Sequence, residues 1–336
     1  MKKNKAFSLV ELSVVILIIG ILIAGVTQSG RLIRQIKLST ARSLTSSSDV
    51  ASIRDLTAWF EATTAGVFTD IYGNTDIDDK SKLRAWRDVN PQKAISDKPI
   101  MKNGTTTDGS VNNSEPKYII SGINGLPSVY FDGAANNGDA TLSDGTGDLI
   151  STVDSATMPI LALDKTYSMF AVFRSDKGKA TQNAVIAQIS ANPATLTDHS
   201  FASIGLLDGG SGNNSRPGFV TSATAVSSWL SPARITDYND YIVGAMVDFT
   251  TPTTPAAASV KLFVNSLTPV EYAVGQTFNA TNIGATIFAI GADTKSTTGS
   301  FFTGMISEVI VFDRKIKDEE ALSVMKYLRK KYNINN

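Results

Sequence analysis

The sequence predicts an α+β chain: one long N-terminal helix, an all-β sandwich, and a short C-terminal helix. Three observations predict it. Residues 7–26 are apolar apart from Ser8, Ser13, Glu11 and a few small residues. Beyond them, short β-rich runs recur between clusters of Gly, Asn, Asp and Thr, with no helical pattern in between. At the end, Ala321, Val324, Met325, Leu328 and Tyr332 fall on one helical stripe.

The first run is long enough to cross a bilayer, since about 20 helical residues at roughly 1.5 Å each span the hydrocarbon. Lys2, Lys3 and Lys5 precede it, which by the positive-inside tendency keeps the N-terminus cytoplasmic and exports the rest. Glu11 is the anomaly, because an acid in hydrocarbon costs on the order of 2.5 to 3.5 kcal/mol. A cleaved signal peptide or a simple signal anchor gives it no role. Leu32, Ile33, Ile36 and Leu44 then recur among Arg31, Arg34, Lys37 and Arg42, so the helix is expected over 7–46, amphipathic in its second half. The four basic residues read as a solvated face near anionic lipid headgroups, and Thr45 to Ser48 begin a linker over 47–54.

Ten strands are expected in a head spanning 55–334: 56–60, 117–120, 128–131, 167–173, 184–189, 201–207, 241–249, 260–264, 286–290 and 305–312. So many short strands without alternating helices favour a sandwich or jelly roll over a parallel α/β sheet. Asp318 is expected to cap the final helix, with Arg329, Lys330 and Lys331 at its negative dipole end. The chain carries Lys+Arg 31 against Asp+Glu 31 and no cysteine, so neither a nucleic-acid partner nor a disulfide or thiolate site is implied. About 290 residues beyond the helix suffice for a large core without staples.

Lys5-Ala6-Phe7-Ser8-Leu9-Val10-Glu11, followed by a long apolar helix, resembles the class III signal of type IV pilins and type II secretion pseudopilins. The resemblance implies cleavage by a prepilin peptidase between Ala6 and Phe7, removing residues 1–6 as a leader, and methylation of the new amine on Phe7. Ala6 stands where the family usually has Gly. It also assigns Glu11 to filament assembly, as the partner of a neighbouring subunit's N-terminal ammonium. A charge pair in low dielectric punishes mispairing more than it stabilises, which makes it a register device.

A second resemblance covers 55–334. Leu56-Thr-Ala-Trp59-Phe-Glu-Ala62, Leu83-Arg-Ala-Trp86-Arg-Asp88, the 124–133 run Asn-Gly-Leu-Pro-Ser-Val-Tyr-Phe-Asp-Gly, Met169 to Phe173, Leu262 to Ser266, and 302–313 are similar, in that order, to the laminin G-like, concanavalin-like jelly roll. Relatives of that fold bind sugars, peptides or calcium, and some hydrolyse glycans. Retaining glycosidases need two carboxylates about 5 to 5.5 Å apart. No E-x-D-x-x-E run supplies them, Glu308 and Asp313 point to opposite faces of one strand, and the sole His199 has no triad around it. No catalytic residue is therefore expected. Asn74-x-Asp76-x-Asp78 departs from an EF-hand at its sixth and twelfth positions. Asp132, Asp139, Asp144 and Asp148 are the remaining calcium candidates, although Asp in such loops is ordinarily a turn residue, so no cofactor is required. Of the tryptophans, Trp59 and Trp86 read as core and Trp229 as a loop residue able to stack on a sugar.

These readings converge on a pilin-like filament subunit, minor by its size, which passes through the inner membrane and then displays a lectin-like adhesion domain on an extracellular filament. The implied partners are prepilin peptidase, other pilin subunits and an unidentified extracellular glycan or protein. A pseudopilin of a type II secretion system is the alternative. Glu11 argues against its tip subunit, which in that family lacks this acid.

Overall fold

A computed structural model describes residues 9–103, 115–133, 150–151, 161–163, 166–176, 184–191, 201–208, 215–222, 226–230, 232, 235, 238–248, 259–273, 283–292 and 301–334. Helix α1 (Leu9–Ser46) has no proline to break it, and a 3-10 turn, Asp49–Ser52, follows within the polar connection. The strands are β1 (Leu56–Glu61), β2 (Phe68–Asp70), β3 (Leu83–Arg87), β4 (Ile100–Asn103), β5 (Lys117–Ile119) and β6 (Ser128–Phe131). Next come β7 (Ile150–Ser151), β8 (Leu161–Leu163), β9 (Thr166–Ser175), β10 (Ala184–Ala191), β11 (Phe201–Asp208) and β12 (Ser215–Ser222). The rest are β13 (Val226–Leu230), β14 (Asp240–Asp248), β15 (Ser259–Val264), β16 (Val270–Ala273), β17 (Ile283–Ile290) and β18 (Gly304–Phe312), before helix α2 (Asp318–Tyr332).

All ten expected strands form, within three residues at either end, and eight more accompany them. Several of the extra strands are too short to show a period of two. Strand β12 carries Pro217 and Gly218, which read as turn residues. Strand β13 corrects the loop reading of Trp229: its backbone lies in register with Phe219 of β12, at the edge of a sheet.

Two antiparallel sheets stack. One runs β16-β15-β14-β9-β18-β6-β5, with β1 also on β18; the other runs β13-β12-β11-β10-β17-β7-β4-β3-β2, with β8 on β17. Alternation along the strands sorts their side chains. Phe60, Phe131, Met169, Phe173, Val309 and Val311 enter the core between the sheets, where Phe60 stacks on Phe288 at 5.6 Å. Trp59, Phe170, Ile310 and Phe312 point to the opposite side of the first sheet.

That outer face is covered by α2. Its buried side chains include the whole expected stripe, Ala321, Val324, Met325, Leu328 and Tyr332, which share a second core with Ala41 of α1 and Val50 of the 3-10 turn. The helix start differs from expectation. Lys317 is the N-cap, its N–H donates to the Glu320 carboxylate at 2.7 Å, and Asp318 instead accepts from Lys261 at 2.7 Å. Asn333 takes the left-handed conformation (φ 51°) that ends the helix.

Because α2 supplies the outer layer, Leu328→Ala is expected to lower the stability of the purified full chain by about 3 kcal/mol, as cavity-forming substitutions do. Thermal unfolding checks this against Lys326→Ala on the exposed face, which should leave the midpoint in place.

Candidate functional site

Strands β1 and β18 pair so that Glu61 lies directly opposite Glu308, with Trp59 opposite Ile310 two residues along. Glu61, Trp59 and Glu308 therefore share the face that α2 covers. Lys331 descends from α2 between the two carboxyl groups, its Nζ 2.7 Å from Glu61 Oε2 and 2.8 Å from Glu308 Oε2. It also donates to Thr45 Oγ1 in the last turn of α1, at 2.8 Å. Glu308 accepts from Trp59 Nε1 (2.7 Å), Tyr327 OH (2.8 Å) and Tyr332 OH (2.9 Å), a donor set suited to an acceptor-only carboxylate. Glu61 accepts from the N–H groups of Thr63 and Thr64 and from the Thr63 hydroxyl. All three ionisable side chains have zero exposure.

Burial alone would raise the Glu61 pKa, but the Lys331 charge and the hydrogen bonds from Lys331, Thr63 and Thr64 hold it down to about 2, against an ordinary 4.5. Burial would likewise lower that of Lys331, and the charges of Glu308 and Glu61 raise it well above its usual range. Burial pushes both tyrosine hydroxyls up, aided by Glu308. The cluster holds an ammonium between carboxyl groups and offers no surface from which to touch a substrate. Its chemistry is that of a latch between α1, β1, β18 and α2.

Helix α1 makes further ties nearby. Arg42 Nε donates to Thr63 O at 2.6 Å, Lys37 Nζ to Asn124 O at 3.3 Å, and Ala41 packs in the core with Ile123 and Leu126. Two of the four basic residues expected on a solvated face are thus drawn onto carbonyls of the head, while Arg31 and Arg34 stay exposed along a cleft. Asp88 fastens the other side of β1: its Oδ1 accepts from Trp59 N and Asn90 N, both at 2.8 Å, and burial raises its pKa to about 6.

The residues singled out from sequence are scattered. Glu11 is exposed in the first turn of α1, and Leu9 to Ile23 present their apolar side chains outward, none of that stretch being covered by the head. Ala6 and Phe7 lie outside the described residues, as do Asp139, Asp144, Asp148 and His199. Asp132 is buried just beyond β6. Among the described residues no three acidic or histidine side chains converge as a metal set. Asn74 and Asp70 form a turn, with Asp70 Oδ1 accepting from Tyr72 N and Asn74 N. Trp59 and Trp86 are buried, and Trp86 Nε1 donates to Glu61 O at 3.2 Å. Glu61 and Glu308 stand on different strands, so no spacing within a single strand reveals the pair. Lys331 carried a signal, since it falls three residues after Leu328 on the apolar stripe.

Lys331→Met leaves two buried carboxyl groups without their cation and should cost about 3 to 5 kcal/mol at pH 7, read as a lower unfolding midpoint. With its folded pKa depressed, Glu61 contributes stability that is complete above pH 4.5 and lost as pH falls toward 2. The gap between parent and variant should therefore narrow on acidification through that window. Equal midpoints at pH 7 would remove the latch as a stabilising element.

Residues 1–27 match the family model for the prokaryotic N-terminal methylation motif. No curated protein matches the chain. Among solved structures, it is similar to a GH54 α-L-arabinofuranosidase soaked with a cyclic sulfate inhibitor, at 12% identity and TM-score 0.54, covering 82% of this chain and 63% of that one. Domain 4 of AbnA, a GH43 extracellular arabinanase from Geobacillus stearothermophilus in complex with arabinotriose, aligns at 13% identity and TM-score 0.47, over 81% and 98% of the two chains. The CBM40 of the Ruminococcus gnavus IT-sialidase aligns at 16% identity and TM-score 0.37, over 49% and 84%. The first of these likenesses is one of fold: this chain carries a prepilin-type methylation motif ahead of a β-sandwich head.

Proposed function

We propose that this chain is a type IV pilin-like filament subunit, a minor one, that displays a binding head outside the cell. The observation that carries the reading is the methylation motif over residues 1–27, continuous with a helix whose apolar half stands clear of the head. Such a helix serves first as a membrane anchor and then, among other subunits, as filament core. Cleavage falls between Ala6 and Phe7, and Glu11 pairs with the methylated amine of a neighbour.

The head is of the laminin G-like, jelly-roll kind, which the two antiparallel sheets and the ordered series of motifs support. Its task is recognition of an extracellular glycan or protein in adhesion, without catalysis. Glu61 and Glu308, the carboxylate pair opposed across two strands, are occupied by Lys331 and sealed beneath α2.

Mass spectrometry of the protein from membrane and filament fractions should find N-methyl-Phe7 as its first residue. An intact Met1 or a start after Ala24 rules the processing out. Glu11→Val should leave membrane insertion intact while incorporation into filaments falls about tenfold or more, read by immunoblot of sheared filaments; unchanged incorporation discards the pairing role. Loss of filament-borne adhesion on deletion supports display, whereas a defect in exoprotein release assigns the chain to a type II secretion pseudopilus.

A further inference from the structure

Where α1 leaves its apolar run, it forms one wall of a cleft of about 730 Å³ against the head. Arg31, Arg34, Gln35 and Leu38 follow each other at helical spacing along that wall, and Ile120, Gly125 and Pro127 form the other. Lys37 donates to Asn124 O in the loop next to the cleft, where Asn124 and Gly125 both take positive φ (50° and 74°). Arg31 and Arg34 are exposed, and among the described residues neither has an ion-pair or hydrogen-bond partner. No acid is among the described residues that line the cleft, and Asp79 accepts from N of its lining residue Ile120 at 2.9 Å.

We propose that this cleft binds the headgroup of an anionic phospholipid in the leaflet facing the head, before the subunit enters a filament. The inference rests on the membrane-anchoring reading above. Its first support is depth. The apolar run ends at Val26, so Arg31 lies about 7.5 Å and Arg34 about 12 Å farther along the axis, at and beyond the outer edge of the band about 5 to 7.5 Å thick that headgroups occupy, toward which long helical side chains directed to the N-terminus reach back. Its second is charge and form. Two guanidinium groups one helical turn apart offer forked donors to a phosphate, and the volume lies within the roughly 300 to 1,000 Å³ typical of small-molecule sites. Leu38 and Pro127 give the cleft an apolar floor on the side away from the hydrocarbon. A second copy of the chain is the poorer occupant, since its own Arg31 and Arg34 would meet like charges. Leu32 lines the cleft beside Arg31, whereas Ile33 and Ile36, which are 54% and 56% exposed, do not line it and remain for contacts with other helices.

The test is native mass spectrometry of the full chain released from nanodiscs of equal parts phosphatidylglycerol and phosphatidylcholine. The parent should retain one phosphatidylglycerol in preference to phosphatidylcholine by roughly tenfold or more, on the scale of two basic residues at a membrane surface. The double variant Arg31→Gln/Arg34→Gln should lose that preference while still resisting alkaline extraction. The charge-matched Arg84→Gln/Arg87→Gln, on exposed positions of β3, should keep it. Retention without headgroup preference, or a preference that survives the first variant, overturns the lipid site alone. If the first variant instead loses self-association while retention never depended on headgroup, the cleft belongs to a second copy and the proposal is wrong. A parent chain that alkali removes from the bilayer overturns the anchoring reading and the lipid site with it.

Discussion

Lys331 has no exposed side-chain surface; besides Tyr327 OH of its own helix, its ammonium is solvated by other elements: Glu61 from β1, Glu308 from β18 and Thr45 from α1. Removing such a charge from water is costly, and a buried ion pair seldom exceeds a well-packed apolar substitute in net stability. What it imposes is geometry. A displacement of α2 by one turn, or a slip of β1 against β18, would leave a carboxyl group without its cation. The pairing of Glu61 with Glu308 depends on the register of two strands distant in sequence, and that register also places Trp59 where its indole N–H reaches Glu308. Helix position, strand register and the seat of α1 are therefore one constraint.

That constraint bears on how the head is carried. A polar connection such as residues 47–54 would by itself let the head swing on its helix. Instead the last turns of α1 are tied before the connection begins, through Lys37, Arg42, Ala41 and Thr45. The 3-10 turn then buries Val50 and joins Asp49 to Ser323 of α2 at 3.2 Å. On the filament reading proposed above, load on the helix enters the centre of the first sheet through β1 and β18, with β9 behind them, and not through a single covalent strand of chain.

The long features were legible in the sequence because each carries its own periodic signal. The apolar run, most of the ten expected strands and the stripe on α2 are repetitions that physics reads at one place in the chain. The short strands β2, β7 and β8 hold two or three residues each, too few to repeat anything, and they exist because longer neighbours template them. The latch was illegible for a related reason. Glu61 sits at the end of an otherwise apolar strand, and Lys331 beside two other basic residues at a helix C-terminus, where a favourable dipole already accounts for it. Each has a sufficient local explanation, and only pairing across the chain gives them a shared one.

Lys331 could still have been separated from Arg329 and Lys330 by position. Counting from Val324 and Leu328 puts residue 331 on the buried stripe and 330 on the exposed face, and the exposures follow that order. A basic residue in phase with an apolar stripe obliges an acid on whatever the stripe covers, because an uncompensated ammonium could not remain there. The sheet beneath α2 has only the positions that alternate toward the helix to offer, and within the motifs over 56–62 and 302–313 the acids in phase with Trp59 and Ile310 are Glu61 and Glu308. Periodicity on the helix combined with parity on the strands thus reaches the cluster from residue types alone. The converse holds for Arg31 and Arg34: they are in phase with Leu38 but stay exposed, so burial obliges no acid of the chain to meet them.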